Sequence, residues 1–401
     1  MTNGDDGTML VLQGGGAYGA YESGVYGYLA KHRLLEDLVV VAGTSAGAIN
    51  AAIIATHFRK TDDHGANDLD RFWHEVATPS VPWPASLLFA REDARRWDAV
   101  WTSLLRGNPH MFTPRLWPWP LIPPALWTGQ SFYGSAAMKE IVDRYAATVD
   151  TSKGGLPRLM VTAVDIESGR QQVFDSSDQK LRGVTTTAVV ASGSLPPSLP
   201  STTIGGRHYW DGGLWSNTPL PDVIKALKKD AATERPTNGH WIPRRYHAIV
   251  VDVWRPGGSM PQSYWEAQQR INEFLYADKT RYDESASRRV NRYVELIWEL
   301  RRLAETENIP EDSPLRRRIA DEYARCADEA MLAIDVTVIK RTPLPGDDIS
   351  HEIDFSPDRI QALIDQGARD AEVIADHLRQ RHTRDTVRSG RYGETASPRA
   401  T

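Results

Sequence analysis

Apolar positions alternate between short continuous runs and helical spacings at the start of the chain. A mainly apolar run at 8–13 predicts a buried strand, and glycines separate it from AYESGVYGYLAKHRL, where apolar residues recur at helical spacing. A second apolar run, Leu38–Ala42, leads into a helix-forming segment at 46–58. This strand–helix–strand–helix order predicts an α/β fold with a parallel sheet covered by helices.

The pattern changes in a stretch rich in tryptophan and proline, residues 79–131, whose densest part reads PRLWPWPLIPPALW. Proline fixes φ and lacks an N–H, so we expect an irregular insertion without regular helix or strand. The insertion either packs as a cover over a helix surface or forms a lid. In the second case its tryptophans, Trp117 and Trp119 among them, contact lipid, because tryptophan suits a membrane interface.

Regular patterns return after the insertion. The expected elements are a helix at 135–148, a hairpin at 158–174, a helix near 184–192, strands at 246–254 and 334–341, and amphipathic helices over 263–330. Ser356 as N-cap and Pro357 at the first helical position predict a closing helix. The arginine-rich residues from 380 have few apolar positions and no period, which predicts disorder.

Composition and charge narrow the classes of function. The net charge of −5 argues against a nucleic-acid partner, which would favour a basic surface. The single cysteine, Cys326, excludes an internal disulfide and a cysteine-based metal cluster, and it fits a reducing compartment. The first residues, MTNGDDGTML, lack a signal-peptide pattern, and no apolar run is long enough to span a bilayer. We therefore expect a cytoplasmic protein.

A serine stands between two glycines where the second predicted strand ends, in GTSAG at 43–47. Gly43 and Gly47 leave room for a sharp strand-to-helix turn, which is the arrangement of a nucleophile elbow. The following helix points its N-terminus at Ser45, where negative charge develops during acyl transfer. A tight turn with an incidental serine is the alternative, but the position between strand and helix favours a nucleophile.

A second glycine motif, GGGAYG at 14–19, also follows a strand and precedes a helix. It fits the dinucleotide fingerprint G-x-G-x-x-G, which expects an acidic residue at the end of the next strand. The nearest acids, Glu36 and Asp37, precede that strand, so the nucleotide interpretation fails. Adjacent parallel strands end side by side, so we expect the N–H groups of this loop to face an oxyanion at Ser45.

A serine nucleophile needs a base, and histidine is the usual one. In α/β-hydrolases the histidine follows the catalytic acid along the chain. The histidines late enough in the chain for this order are His240, His247, His351, His377 and His382. None of them lies in a glycine-flanked turn. The stretch YWDGGLWSNTP at 209–219 instead offers Asp211 at a predicted strand end, although alone it also fits an ordinary glycine-rich turn.

The three motifs in this order resemble the patatin-like phospholipase family. The likeness extends to ASGSLPPSLPSTTIGGRHYWDGGLWSNTPL, at 191–220, which is similar to the family's segment around its catalytic aspartate. The resemblance implies a three-layer α/β fold with a mainly parallel central sheet and a helical C-terminal extension. It implies a catalytic domain at 8–225 that holds the insertion, an extension at 226–379 with a strand in the same sheet, and a disordered tail at 380–401.

The resemblance also implies a Ser–Asp dyad without histidine. Ser45 would be the nucleophile and Asp211 the general base, and the oxyanion hole would be formed by Gly14, Gly15 and Gly16. The glycines that support the motifs are Gly19, Gly43, Gly47, Gly212 and Gly213. Tyr18 departs from the family, where a basic residue is common at this place.

The implied function is hydrolysis of lipid acyl esters, of the phospholipase A or lysophospholipase type, through an acyl-serine and without metal or cofactor. The expected partner is a lipid or other acyl-ester substrate, with peripheral membrane contact through the insertion. An acyltransferase or thioesterase with the same dyad, and a non-catalytic lipid-binding protein, are the alternatives.

Overall fold

The computed structural model describes most of the chain. The described residues are 7–82, 91–115, 129–151, 155–178, 180, 183–233, 244–254, 257–258, 260–277, 280–329, 331–342 and 351–393. The strands are β1 (Gly7–Leu12), β2 (Leu38–Thr44), β3 (Thr113–Pro114), β4 (Tyr133–Gly134), β5 (Arg158–Asp165), β6 (Arg170–Asp175), β7 (Thr202–Ile204), β8 (Arg207–Asp211), β9 (Arg245–Asp252) and β10 (Ala333–Lys340). The helices are α1 (Gly19–Lys31), α2 (Ala46–His57), α3 (Ala66–Val76), α4 (Arg91–Arg106), α5 (Ala136–Tyr145), α6 (Thr186–Ser192), α7 (Leu220–Thr233), α8 (Tyr264–Tyr276), α9 (Thr280–Thr306), α10 (Pro314–Asp328) and α11 (Pro357–Gly393).

A mainly parallel sheet lies at the centre, in the strand order β10-β9-β1-β2-β5-β8-β7, with β6 also paired to β5. The strands from β10 to β5 run parallel, whereas β6, β7 and β8 add antiparallel pairs at one side. The predicted α/β class is therefore confirmed, and β5 and β6 form the predicted hairpin.

The sheet separates two apolar clusters, because successive side chains of a strand point to opposite faces. In β1, Leu10 and Leu12 belong to one cluster, whereas Met9 and Val11 belong to the other. The first cluster includes residues of α1, α2, α3, α6 and α11, and the second includes residues of α7. Helices thus cover both faces, which gives three layers.

The C-terminal half of the chain contributes to the same sheet. β9 pairs with β1 in parallel, and β10 pairs with β9 in parallel. α11 then packs against α1 so closely that a Cβ atom at Gly24 would lie 1.9 Å from the carbonyl oxygen of Ile364. Both β1 and α1 therefore have packing partners from the C-terminal half of the chain.

Two elements differ from the sequence-based expectation. α4 is a regular helix inside the insertion, because the prolines gather before and after it and none occurs between Pro84 and Pro109. α11 continues through 380–393, where the sequence predicts disorder, since each residue added to an existing helix gains a hydrogen bond. Trp117 and Trp119, on which the lid expectation depends, lie outside the described residues.

Candidate active site

Ser45 occupies the junction between the end of β2 and the beginning of α2. Its φ of 55° and ψ of −122° form a backbone conformation that side-chain-bearing residues rarely adopt. The flanking glycines permit the turn: a Cβ atom at Gly43 would lie 2.1 Å from the carbonyl oxygen of Gly47, and one at Gly47 would lie 2.5 Å from that of Gln13. The local structure is therefore the sharp elbow that the sequence predicts.

The end of α6 anchors the backbone of this elbow. The N–H of Ser45 donates a hydrogen bond of 2.9 Å to Oγ of Ser192, which is fully buried. Ser192 lies within the segment at 191–220 that carries the family resemblance, but sequence reasoning gave it no role. Its hydrogen bond fixes the backbone N–H of the junction.

Asp211 lies at the end of β8, opposite Ala163 of β5, and only 2% of its surface is exposed. Its Oδ1 accepts a 2.7 Å hydrogen bond from the N–H of Gly213. Burial raises the pKa of Asp211 to about 7, although the Ser45 hydroxyl and the Gly213 N–H both act to lower it. The structure thus brings together the serine and the carboxyl group of the predicted dyad, and a near-neutral pKa suits a general base.

Gly14 lies directly beside the elbow, since a Cβ atom there would be 2.9 Å from Cβ of Ser45. Its N–H donates to Oδ1 of Asn217 at 3.1 Å, and its carbonyl oxygen accepts from Nδ2 of the same residue at 2.9 Å. Trp254 Nε1 donates to that carbonyl as well, at 2.6 Å. The expectation that Gly14 donates to an oxyanion is therefore wrong, because its N–H already has an acceptor.

Gly15 and Gly16 are different, because no acceptor for their N–H groups is found among the described residues. Gly16 has a φ of +56°, and a Cβ atom there would lie 2.3 Å from the carbonyl oxygen of Glu352. Glycine is required at this position both for its conformation and for the close approach of the turn at His351–Ile353. The free N–H groups of the predicted oxyanion loop are thus those of Gly15 and Gly16.

The remaining motif glycines each make a close contact. A Cβ atom at Gly19 would lie 2.4 Å from the ring of Trp73, and one at Gly212 would lie 2.5 Å from the carbonyl oxygen of Thr162. A Cβ atom at Gly213 would lie 3.1 Å from Oδ1 of Asp211. These glycines therefore let helices and strands approach the two candidate catalytic groups.

A buried polar network that sequence reasoning missed fixes the start of the glycine loop. Gln13 donates through Nε2 to Thr218 Oγ1 at 2.8 Å and accepts through Oε1 from the N–H of Val253 at 3.0 Å. Its own N–H donates to the fully buried Glu22 at 2.7 Å. Glu22 also accepts from Nδ2 of Asn50 in α2 at 2.8 Å, and burial raises its pKa well above the ordinary value. The network therefore ties the glycine loop to the helix of the elbow.

Ser45 and Asp211 open into a cavity of about 330 Å³ with mainly apolar walls. From the insertion, the cavity is lined by Ser103, Leu104, Met111 and Phe112. From the C-terminal half of the chain, it is lined by Trp254, Asn272, Tyr276, Glu352, Ile353 and Phe355, among others. The site is therefore built from the whole length of the chain, beyond the region that carries the family motifs.

None of the described residues that line the cavity is a histidine. His247 contacts Thr337 in the neighbouring strand instead, at 2.9 Å, and His377 lies exposed on α11. His240 and the side chains of His351 and His382 lie outside the described residues. Asp211 is instead the described group that forms a side-chain hydrogen bond with Ser45.

No described helix combines the length and the apolar character that a bilayer-spanning segment requires.

Comparison with known proteins gives one family match. The family model described as patatin-like phospholipase matches residues 10–224, which is more than half of the chain. No curated protein matches the chain significantly.

Several solved structures are similar at low identity. VipD from Legionella pneumophila is 11% identical, with a TM-score of 0.33, and the match covers 90% of this chain and 67% of that one. The type III effector protein ExoU is 16% identical, with a TM-score of 0.35 and coverage of 94% and 53%. The heterodimeric ExoU–SpcU complex from the type III secretion system of Pseudomonas aeruginosa is 15% identical, with a TM-score of 0.31. The match covers 90% of this chain and 52% of that one. The chain thus spans about half the length of ExoU, and similarity at this level does not extend to function.

Proposed function

Because the chain belongs to the patatin-like phospholipase family, we propose that it hydrolyses acyl esters of lipids, as a phospholipase A or lysophospholipase. The observation that carries this proposal is the placement of the Ser45 hydroxyl beside the buried carboxyl group of Asp211, in a cavity with mainly apolar walls.

The first half of the reaction forms an acyl-serine. Deprotonated Asp211 accepts the proton of the Ser45 hydroxyl while Oγ attacks the carbonyl carbon of the ester. The N–H groups of Gly15 and Gly16 stabilise the negative charge on the carbonyl oxygen, together with the N-terminus of α2. The tetrahedral intermediate collapses when the ester C–O bond breaks, and Asp211 returns its proton to the departing alcohol.

The second half returns the free enzyme. Asp211 accepts a proton from a water molecule, whose oxygen attacks the carbonyl carbon of the acyl-serine. Collapse of this second intermediate releases the fatty acid, and Asp211 returns its proton to Oγ of Ser45. The carboxyl group thus carries one proton in each half, for which a pKa of about 7 is well placed.

The cavity walls explain why the acyl group would be long and apolar. Met111 and Phe112 of the insertion line the cavity together with Leu199 and Phe355. Such side chains exclude water and offer contacts to methylene groups, each of which contributes about 0.8 kcal/mol on burial. The insertion therefore takes part in the acyl-binding wall through its described residues.

The decisive experiment is Ser45→Ala, assayed with a fluorophosphonate probe and by release of fatty acid from phosphatidylcholine. We expect labelling and release to disappear while the circular dichroism spectrum stays unchanged. Ser198→Ala is the matched control, because Ser198 lines the same cavity away from the elbow and should keep its labelling.

Labelling that persists in Ser45→Ala would place the nucleophile elsewhere. Formation of a new ester with an added alcohol, in place of free fatty acid, would identify an acyltransferase that uses the same dyad.

A further inference from the structure

Helix α8 has an inverted distribution of polar and apolar side chains. Its outward positions include Ile271, Phe274 and Leu275, which are 46%, 62% and 65% exposed. On the inward side Gln269 is buried and Asn272 lines the cavity of Ser45. A surface helix of a globular protein normally shows the opposite arrangement, so the outward face of α8 calls for an explanation.

A second exposed apolar pair lies beside α8. Leu214 and Trp215, which are 47% and 59% exposed, directly follow Gly213. Gly213 lies against α8, because a Cβ atom there would be 3.6 Å from the ring of Tyr276. Leu214, Trp215, Ile271, Phe274 and Leu275 together form a surface that we call the apolar rim.

The apolar rim lies on two elements that also line the cavity of the candidate active site. Gly213 and Tyr276, which adjoin its two parts, both line the cavity. Asn217 also links the two parts, since its Nδ2 donates to the carbonyl oxygen of Tyr276 at 3.1 Å. The elements that present apolar groups to the outside are therefore the elements that line the cavity on the inside.

We propose that the apolar rim docks on the surface of a lipid bilayer and sets the mouth of the Ser45 cavity against it. The substrate class rests on the proposed function, because an acyl lipid lies in a bilayer and must leave it to reach Ser45. A rim beside the cavity mouth shortens that path and shields the acyl chain from water. A protein seated on the same surface would supply no acyl lipid to the cavity.

The chemistry of the rim fits a lipid surface. Trp215 has an apolar ring and an N–H that can remain hydrated, which is the property that enriches tryptophan at membrane interfaces. Leucine, isoleucine and phenylalanine side chains can enter the boundary between headgroups and acyl chains, to a depth of about 5–10 Å. The apolar rim is thus a second candidate location for membrane contact, beside the one that the sequence predicts at 79–131.

Attraction to the membrane is apolar rather than electrostatic. The chain carries a net charge of −5, and Arg270, the cation within this part of α8, is paired with Glu273 and lies 4.4 Å from the ring centre of Phe274. Docking should therefore occur on uncharged vesicles and should change little with salt, since salt screens charges and not apolar contacts.

The test uses the full chain with Phe274→Gln and Leu275→Gln together, in sedimentation with phosphatidylcholine vesicles. We expect binding to weaken by about tenfold or more, because each side chain loses its burial in lipid. Hydrolysis of a soluble short-chain ester and the melting temperature should stay unchanged. The matched control is Leu315→Gln with Val373→Gln, two residues that are 57% and 82% exposed on other helices and should not affect vesicle binding.

Three results would overturn the proposal. The first is unchanged vesicle binding by the rim variant. The second is binding of the wild type only to anionic vesicles, with loss of binding in high salt. The third is a wild type that forms a dimer and does not bind vesicles, while the rim variant is a monomer. Ser45→Ala separates this proposal from the proposed function, because it should bind vesicles like the wild type. If the wild type binds vesicles through the rim but hydrolyses no ester, the proposed function is wrong and the proposed docking surface stands.

Discussion

Asp211, the proposed general base, lies in an environment that disfavours its charged form. The side chain is 2% exposed, and its pKa is raised to about 7 because burial disfavours the charged form. A base must be deprotonated to act, so the rate of ester hydrolysis should rise with pH through about 7 and then level off.

Asp211→Asn tests this role. We expect a loss of roughly 10²–10⁴-fold in kcat, which is the usual effect of removing a general base, and loss of the rise near neutral pH. His247→Asn is the control, because His247 contacts Thr337 and lies away from the cavity. A comparable loss in the control would indicate a histidine-dependent mechanism. The measurement is the pH profile of kcat on a soluble ester.

The same substitution should stabilise the protein at alkaline pH. The pKa of Asp211 is 3.8 in the unfolded reference and about 7 in the fold, so the fold favours the protonated form. Its contribution to stability is complete below pH 4 and is lost as pH rises through about 7. An asparagine side chain cannot ionise, so Asp211→Asn should raise the melting temperature more at pH 8 than at pH 5. A gain that is equal at both pH values would contradict the pKa shift.

The sequence predicts candidate site residues where the residues next to them form a recognisable motif. Ser45 and Asp211 stand next to glycines that their local turns require, and this is visible in one stretch of sequence. Gln13 and Asn217 act through partners about two hundred residues away, so no local pattern marks them. Gly14 looks equivalent to Gly15 and Gly16 in the sequence, and only its hydrogen bond to Asn217 distinguishes it.

At the scale of elements, the α1–α11 pair shows how glycines permit close helix packing. A Cβ atom at Gly24 would lie 1.9 Å from the carbonyl oxygen of Ile364, and one at Gly367 would lie 2.0 Å from that of Tyr21. Gly27, one turn from Gly24 on the same helix, has no atom within 4 Å of an added Cβ.

Gly24→Ala and Gly27→Ala should therefore have opposite effects. The first forces the helices apart and should lower the melting temperature, since overpacking costs about 1–3 kcal/mol. The second gains helix propensity, worth about 1 kcal/mol, and should raise it slightly. The measurement is the melting temperature of the two variants. Equal destabilisation by both would mean that α11 does not pack on α1 in this way.

Element boundaries could be predicted where one period continues through a segment. β1, β2, α1 and α2 follow from the apolar pattern and from the glycines between them. The segment 79–131 as a whole is rich in proline, and for that reason the sequence predicts no helix in it. Proline interrupts a helix only where it occurs, however, and α4 contains none. The apolar rim was missed because helical spacing shows that an apolar face exists and does not show whether it points inward.

At the scale of the whole molecule, the sheet cannot be divided at the end of the matched family region. β9 is the parallel neighbour of β1, and β10 has only β9 beside it in the described sheet. The cavity likewise needs Tyr276 and Phe355. We therefore expect the region with the three glycine motifs and the C-terminal extension to unfold as one cooperative unit.

Neither part should fold alone. Residues 260–380 contain β10 without β9, and residues 8–225 expose the edge of β1 and the face of α1 that α11 covers. We expect both fragments to lack a cooperative thermal transition and ester hydrolysis. A stable monomeric fragment of 260–380 would show that this region is a separate domain.

The turn at His351–Ile353, which packs against Gly16, also sets an order in time. The ribosome delivers the glycine loop and Ser45 early, whereas this turn and Phe355 arrive near the end of the chain. N-terminal parts emerge first during synthesis, so the nascent chain contains Ser45 long before it has a complete cavity. We therefore expect the proposed ester cleavage to begin only after residues 351–355 have left the ribosome.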